Sequence, residues 1–400
     1  MRIAVYSNAP WAPTGYGTQT GLLVPRLAER YGPENVAVLA NYGLQGGPQR
    51  WHGIRIYPGG RTPFSDDIAP LHAEHFFDGQ PGIVLTLFDN WVLTNPAWAD
   101  LNVASWVPID HDPAPPKVID WFTRTGALPI AMSQFGLKQL DNVGIAGRYV
   151  PHMIDRNVFR PQTADRTAHD LPDSTFVVGM VAANKGRQPS RKGFGEAFLA
   201  FSRFHQTYPD SVLYVHTDPF GFFDGINLLE LAEACGLDDE TVIYTDPYSQ
   251  QTQYPPERLA HLYCCFDVLL APSYGEGFGI PVIEAQACGI PVVVNDWTAQ
   301  PELVGAGWTV TGQPWFDANQ KSWFQVPNVD QIVARLADCY RRSAKQVAAD
   351  HQNAEAKAAE YDQYRVWFDH WLPTLEACED RLPSVSTLPP EETTNGIHTR

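Results

Sequence analysis

The sequence predicts an α/β protein built from two domains, each a parallel sheet wrapped by helices, and three observations carry that prediction. The chain has 400 residues with 44% hydrophobic content, enough for two cores of ordinary size. Short β-branched runs alternate with stretches of helical periodicity, the order that builds βαβ units. The alternation stops at a polar, Pro-containing stretch, residues 160–173, and then starts again.

In the first half, strands are expected at 3–7, 35–40, 82–87, 103–109 and 129–132, with helices at 18–30 and 134–140. After the break come strand 175–182, helix 193–208, strand 211–216, helix 227–235 and strand 240–245. Helix 256–264, strand 267–271, helix 281–288 and strand 291–295 follow. The domains are accordingly placed at 1–164 and 165–350. Helices are further expected at 329–345 and 353–377. The second sets Tyr361, Tyr364, Trp367 and Trp371 at three- and four-residue spacing, an aromatic stripe that needs a surface to bury against. Residues 379–400, rich in Pro, Ser, Thr and Glu, have little to bury and are expected to be a disordered tail.

The formal charge is −17, yet residues 1–160 are nearly neutral, with 12 Lys+Arg against 13 Asp+Glu. Neither stable membrane association nor non-specific nucleic-acid binding is expected of such a chain, although a local basic patch in the neutral half stays open. No window approaches the roughly 18 apolar residues of a membrane span, and residues 1–7 run straight into Asn, Pro and Gly without the apolar region of a signal peptide. The six cysteines show no C-x-x-C spacing and no neighbouring His pairs, so neither a disulfide framework nor a zinc site is expected. A soluble cytoplasmic protein fits these features.

The chemistry concentrates in two loops of the second half. Strand 267–271 leads into Pro272-Ser-Tyr-Gly-Glu-Gly-Phe-Gly-Ile-Pro281, and Pro281 suits the first turn of the helix that follows. Three glycines let the backbone approach a ligand, and a helix N-terminus draws an anion. Two acids flank the same place, Glu276 in the loop and Glu284 in what reads as the first helical turn. They repel phosphate but accept hydrogen bonds from hydroxyls. A ligand with a diphosphate between two polyols reconciles the two demands, as a nucleotide-sugar does. The blander reading makes Glu284 a partner of the helix dipole and Glu276 a solvated loop acid. Between strand 175–182 and helix 193–208 lies the second loop, from Asn184 to Gly193. Its four cations, Lys185, Arg187, Arg191 and Lys192, fall in an otherwise acidic half at the carboxyl end of a strand, where open α/β sheets bind ligands. A solvated charge run is the alternative.

The segment Tyr274-Gly-Glu-Gly-Phe-Gly-Ile-Pro-Val-Ile-Glu-Ala-Gln-Ala-Cys-Gly-Ile-Pro-Val-Val-Val, followed by Ala299-Gln-Pro-Glu302, resembles the donor-binding signature of family 4 retaining glycosyltransferases, which have the GT-B fold. Arg191-Lys192-Gly193, Ser133-Gln-Phe-Gly and Pro151-His-Met-Ile-Asp155 with Phe159 and Pro161 are also similar to family segments, so the likeness runs from about residue 103 to about 304. It implies two Rossmann-like domains facing across a cleft, with a C-terminal helix, residues 351–378, returning to the N-terminal domain. It further implies that Glu284 meets the ribose hydroxyls and Glu276 the transferred sugar. The amides of Gly277, Phe278, Gly279 and Ile280 would meet sugar and phosphate, and Arg191 and Lys192 the diphosphate. Arg187 could replace Arg191, and Asn184 is counted with the donor contacts. His111, in Pro108-Ile-Asp-His-Asp-Pro113, matches the family histidine near the sugar, against the alternative of a plain loop histidine. Glu276, Lys192, Arg191 and His111 form the expected catalytic set.

The activity implied is hexose transfer from a nucleotide-diphosphate sugar to an acceptor hydroxyl with retention, using no cofactor. No metal is expected: Asp110-His-Asp112 is a lone D-x-D and nothing else in the sequence suggests an ion. Gly15, Tyr16 and Gly17 read as a loop touching sugar or acceptor. They do not form G-x-G-x-x-G, and strand 35–40 is followed by Asn41 rather than an acid, which argues against a nicotinamide oxidoreductase. A GT-B nucleotide-sugar epimerase or a catalytically silent sugar-binding protein remains the alternative. The acceptor, whether glycan, small molecule, protein or modified DNA base, is not legible.

Overall fold

The computed structural model describes residues 1–186, 189–222, 224–252 and 254–382. An eight-stranded sheet takes up the first part of the chain: β1 (Arg2–Asn8), β2 (Val36–Tyr42), β3 (Gln49–Trp51), β4 (Ile54–Tyr57), β5 (Gly82–Leu87), β6 (Val103–Val107), β7 (Leu128–Ala131) and β8 (Arg148–Tyr149). Its order is β3-β4-β2-β1-β5-β6-β7-β8, and every pairing is parallel except β3 with β4. The central strands are apolar along nearly their whole length because helices cover both faces. Those helices are α1 (Gly15–Tyr31), α2 (Ala69–Phe77), α3 (Pro116–Thr125) and α4 (Gln134–Asn142).

A second sheet holds β9 (Phe176–Val181), β10 (Ser211–His216), β11 (Val242–Tyr244), β12 (Val268–Ala271), β13 (Val292–Asn295) and β14 (Gly307–Val310), all parallel, in the order β11-β10-β9-β12-β13-β14. Its helices are α5 (Phe194–Thr207), α6 (Leu228–Ala234), α7 (Pro247–Thr252), α8 (Pro256–Cys264) and α9 (Ile280–Ala287). An antiparallel hairpin, β15 (Gly312–Asp317) and β16 (Ser322–Pro327), leads to α10 (Val329–Tyr340). In both sheets the chain reverses its direction of winding at the middle, between β1 and β5 and between β9 and β12, so the loops after those strands stand side by side.

The last segment returns to the first domain, but as a chain of pieces rather than one helix over 353–377: α11 (Ala344–Ala358), α12 (Gln363–Val366), a π-helical turn at Trp367–Trp371 and α13 (Leu372–Glu379). The break at 359–362 exists because the backbone there pairs across domains, Ile154 N donating to Tyr361 O (2.9 Å) and Gln363 N to Ile154 O (2.9 Å). Tyr361, Trp367 and Trp371 are buried, with Trp371 edge-on to Trp106 at 4.8 Å. Tyr364 points outward, where Arg26 lies over its ring. Of the expected tail, Glu379 closes α13 and residues 380–382 form a turn; 383–400 lie outside the described residues.

Candidate functional site

The loop after β12 runs from Pro272 to Gly279, whose φ of 113° lets it cap α9. Gly275 and Gly277 are required by the close approach of the opposite domain. A Cβ at Gly275 would come within 2.1 Å of the Asp110 carbonyl oxygen, and one at Gly277 within 2.3 Å of the Pro108 Cβ. This glycine-rich loop thus presses against the loop after β6. It is also tied to the loop after β9, since Tyr274 N donates to Arg191 O (2.7 Å).

At this meeting point the charges are paired. Glu276 accepts from Arg191 Nη1 (2.8 Å) and from Lys192 Nζ, and Arg191 also donates to Gly275 O (2.8 Å). The Arg191 guanidinium lies 3.9 Å from the Asp110 carboxylate. Burial pushes the Glu276 carboxyl up, but the two cations outweigh it and hold the group down at about 2. Lys192 is lowered, chiefly by burial and by the neighbouring Arg191. Arg191 is raised despite burial, because Glu276 and Asp110 surround it. Arg187, the other candidate for the diphosphate, lies outside the described residues.

His111 sits at the same junction with 3% exposure. Its Nδ1 is 2.7 Å from Asp110 Oδ1 and its Nε2 is 3.3 Å from Asp317 Oδ2, while its ring stacks on Phe324 with centroids 3.7 Å apart. Asp317 and Phe324 belong to the β15–β16 hairpin, which bonds to the first domain through Asp112 N to Trp323 O (3.1 Å) and Trp323 N to Asp112 O (3.3 Å).

The remaining expected residues divide. Glu284 lies in the second turn of α9, not the first, because the helix begins at Ile280 with Pro281 as its second residue. It is 7% exposed and accepts from the Tyr263 hydroxyl (2.8 Å); burial raises its carboxyl to about 7. Asn184 is committed to the fold: its amide oxygen accepts from Ile226 N (2.9 Å) and its nitrogen donates to Asp218 O (2.8 Å) and Ile226 O (2.6 Å). That arrangement makes it a brace for the 217–226 loop. Phe278 is buried against His152 and Tyr361. Gly15, Tyr16 and Gly17 are not a loop but the first turn of α1, capped by Thr14, whose hydroxyl accepts from Gly17 N (3.0 Å). Glycine opens this helix because a Cβ at Gly17 would lie 2.2 Å from the Ala12 carbonyl oxygen, and one at Gly15 would meet Ile280 Cδ1 of α9 at 3.0 Å.

Several neighbours of this centre escape a reading of sequence. Asp89, after β5, feels Asp110, Arg191 and Lys185, and burial followed by Asp110 raises it to about 6. The hairpin was missed because its alternation is short and lies beyond the family-like region. Glu302 accepts from the free amides of Gln134 (3.1 Å) and Phe135 (3.2 Å), capping α4 of the opposite domain. Away from the cleft, His169, His261 and Cys265 bring their ligand atoms within 4.8 Å of one another, a grouping that spacing of 92 residues between the two histidines conceals. His169 Nε2 and His261 Nδ1 are hydrogen-bonded directly at 2.9 Å.

Residues 185–340 match the family described as glycosyl transferases group 1. The D-inositol 3-phosphate glycosyltransferase of Segniliparus rotundus is 33% identical over 155 residues, 36% of this chain and 30% of that protein. The O-antigen chain mannosyltransferase B of Escherichia coli is 47% identical over 51 residues, 13% of each. The chain thus spans well under half the length of these relatives. Among solved structures, Anabaena HepE in complex with UDP and glucose superposes with a TM-score of 0.66 at 18% identity, over 94% of this chain and 100% of that one. Sucrose-phosphate synthase of Thermosynechococcus elongatus gives 0.68 at 17% identity, over 94% and 98%. At such identities the likeness is one of fold, and the fold is GT-B.

Proposed function

We propose, for a chain whose residues 185–340 match the group 1 glycosyl transferases and whose fold is GT-B, that it moves a hexose from a nucleotide-diphosphate sugar to an acceptor hydroxyl with retention and without a metal. The observation that carries this reading is the junction where Arg191, Lys192 and Glu276 of one domain meet Asp110 and His111 of the other. In the reaction, the bond from the anomeric carbon to the diphosphate oxygen breaks and the acceptor oxygen bonds to that carbon on the same face. The acceptor proton passes to the departing phosphate, so no enzyme base is needed. Negative charge grows on the diphosphate, and Arg191 and Lys192, already held in place, meet it. Glu276 would exchange part of its pairing for the sugar hydroxyls, and Glu284 would hold the ribose.

A melting-temperature screen against UDP, GDP, ADP, TDP and NAD, followed by turnover of the best donor in the presence of EDTA, tests the reading. One nucleoside diphosphate at a hundredfold its Kd is expected to stabilise the protein by about 2.7 kcal/mol. Stabilisation by NAD alone overturns the proposal, and proton NMR of the anomeric coupling in the product decides retention.

A further inference from the structure

Where the linker between the domains crosses α8, the fold gathers three side chains that spacing along the chain keeps apart, which is why no zinc site is expected from sequence. His261 and Cys265 stand one helical turn apart at the end of α8, on the same face, and His169 closes a short helical turn of the linker, Arg166–His169. Nε2 of His169 and Nδ1 of His261 are 2.9 Å apart, and the Cys265 sulfur lies within 4.8 Å of both. His169 and Cys265 are buried and His261 is half-buried.

The linker turn that carries His169 is firmly held against the helix end. Arg166 donates from Nε to Cys265 O (3.2 Å) and from Nη1 to Thr175 O (2.7 Å), and its Nη2 pairs with Asp267 (2.8 Å), which neutralises that cation. Nδ1 of His169 is 3.0 Å from the Tyr254 hydroxyl, the kind of outer contact that fixes the tautomer of a ligating imidazole and leaves Nε2 facing the group. Arg258, the other cation nearby, lies over the Tyr254 ring at 4.5 Å. Burial, followed by His261 and Arg258, holds His169 down at about 4, so the ring is neutral, the form in which imidazole binds a metal.

We propose that His169 Nε2, His261 Nδ1 and Cys265 Sγ bind a zinc ion, with water as the fourth ligand, and that the ion clasps the interdomain linker to α8. Tetrahedral zinc holds nitrogen at about 2.0–2.1 Å and sulfur at about 2.3 Å, which sets its ligand atoms roughly 3.3–3.6 Å apart. That separation falls between the 2.9 Å of the two nitrogens and the 4.8 Å limit of the group. A thiolate beside two imidazoles selects zinc over magnesium or calcium, which take oxygen ligands. Burial pushes the Cys265 thiol up to about 11, and the thiol donates to His261 O (3.4 Å). Binding therefore replaces the S–H bond by a Zn–S bond and releases that proton to water. The ion stands outside the sugar transfer proposed above and carries no step of it.

Titration of the metal-free, reduced full chain with Co²⁺ and then Zn²⁺ tests the site. A single Co²⁺ per chain is expected to give the intense visible bands of tetrahedral cobalt together with a sulfur charge-transfer band, and Zn²⁺ to displace it. Cys265→Ser should abolish the sulfur band and His169→Ala should weaken zinc binding by about 10²-fold, whereas Cys264→Ser, next to the site, should change neither. Tyr254→Phe should weaken zinc by about tenfold, through the His169 ring it orients. Cooperative melting of each metal-free variant shows that it folds, and the spectrum of the unaltered protein decides without any variant. Pale octahedral cobalt, a spectrum with no sulfur band, or zinc binding equal in Cys265→Ser and the unaltered chain overturns the proposal and leaves a plain N–H···N hydrogen bond between two neutral rings.

Discussion

Burial raises the carboxyls of both Glu276 and Glu284, seven residues between them, but their partners send the two in opposite directions. Glu276 is paired with two cations and held at about 2, so its contribution to stability is present above its ordinary value of 4.5 and is lost as pH falls toward 2. Glu284 meets a neutral phenol and is raised to about 7, so its contribution is full below 4.5 and is lost as pH rises through 7. Glu284→Gln should therefore raise the melting temperature at pH 8 and change it little at pH 5; an equal effect at both values would contradict the assignment. On the proposed transfer, the roles of Lys192 and Glu284 also separate kinetically. Lys192→Ala should lower kcat by about 10²–10³-fold, since the ammonium faces charge that grows in the transition state. Glu284→Ala should act mainly on KM, because the ribose is held alike before and after the bond breaks. Equal effects on both constants in both variants would refute the division.

At the scale of elements, the first turn of α1 and the β15–β16 hairpin show what local pattern leaves unsaid. Glycine lowers helix propensity, which places the start of α1 at Thr18 in the sequence reading. Thr14 nevertheless caps the helix three residues earlier, since only glycine fits against Ala12. Gly17→Ala would stabilise an ordinary helix by about 1 kcal/mol; here the clash with the Ala12 carbonyl should lower the melting temperature instead, and a rise would show that the turn can yield. The hairpin reaches across 206 residues to set Asp317 against His111. Asp317→Asn removes the charge facing Nε2 and should lower kcat while leaving the melting temperature and nucleotide binding in place. A change in binding alone would remove the hairpin from the reaction centre.

Across the cleft the two domains are tied by bonds such as the one from Glu302 to the start of α4. Glu302 of the second domain occupies the N-terminus of α4 in the first, and burial raises its carboxyl even though two amides bind it. Glu302→Ala frees the Gln134 and Phe135 amides, while Ser133 still caps Gly136 N, and should loosen closure, seen as a larger radius of gyration by small-angle scattering with donor-free protein. An unchanged radius would show that Glu302 does not hold the domains together. The strands and helices of the two sheets and the glycine-rich loop follow from properties that neighbouring residues carry: runs of β-branched residues, helical periodicity, and a glycine-rich turn running into a helix. Such features are written within ten or twenty residues, and the sequence alone determines them. Tertiary structure decided what those loops meet. It spent Asn184 on the 217–226 loop, made Gly275 and Gly277 points of domain contact, broke the last helix where its backbone pairs with Ile154, and brought Asp89, Asp317 and Phe324 to the centre. Contacts between residues so far apart in the chain arise from packing whole elements together, and no local period records them.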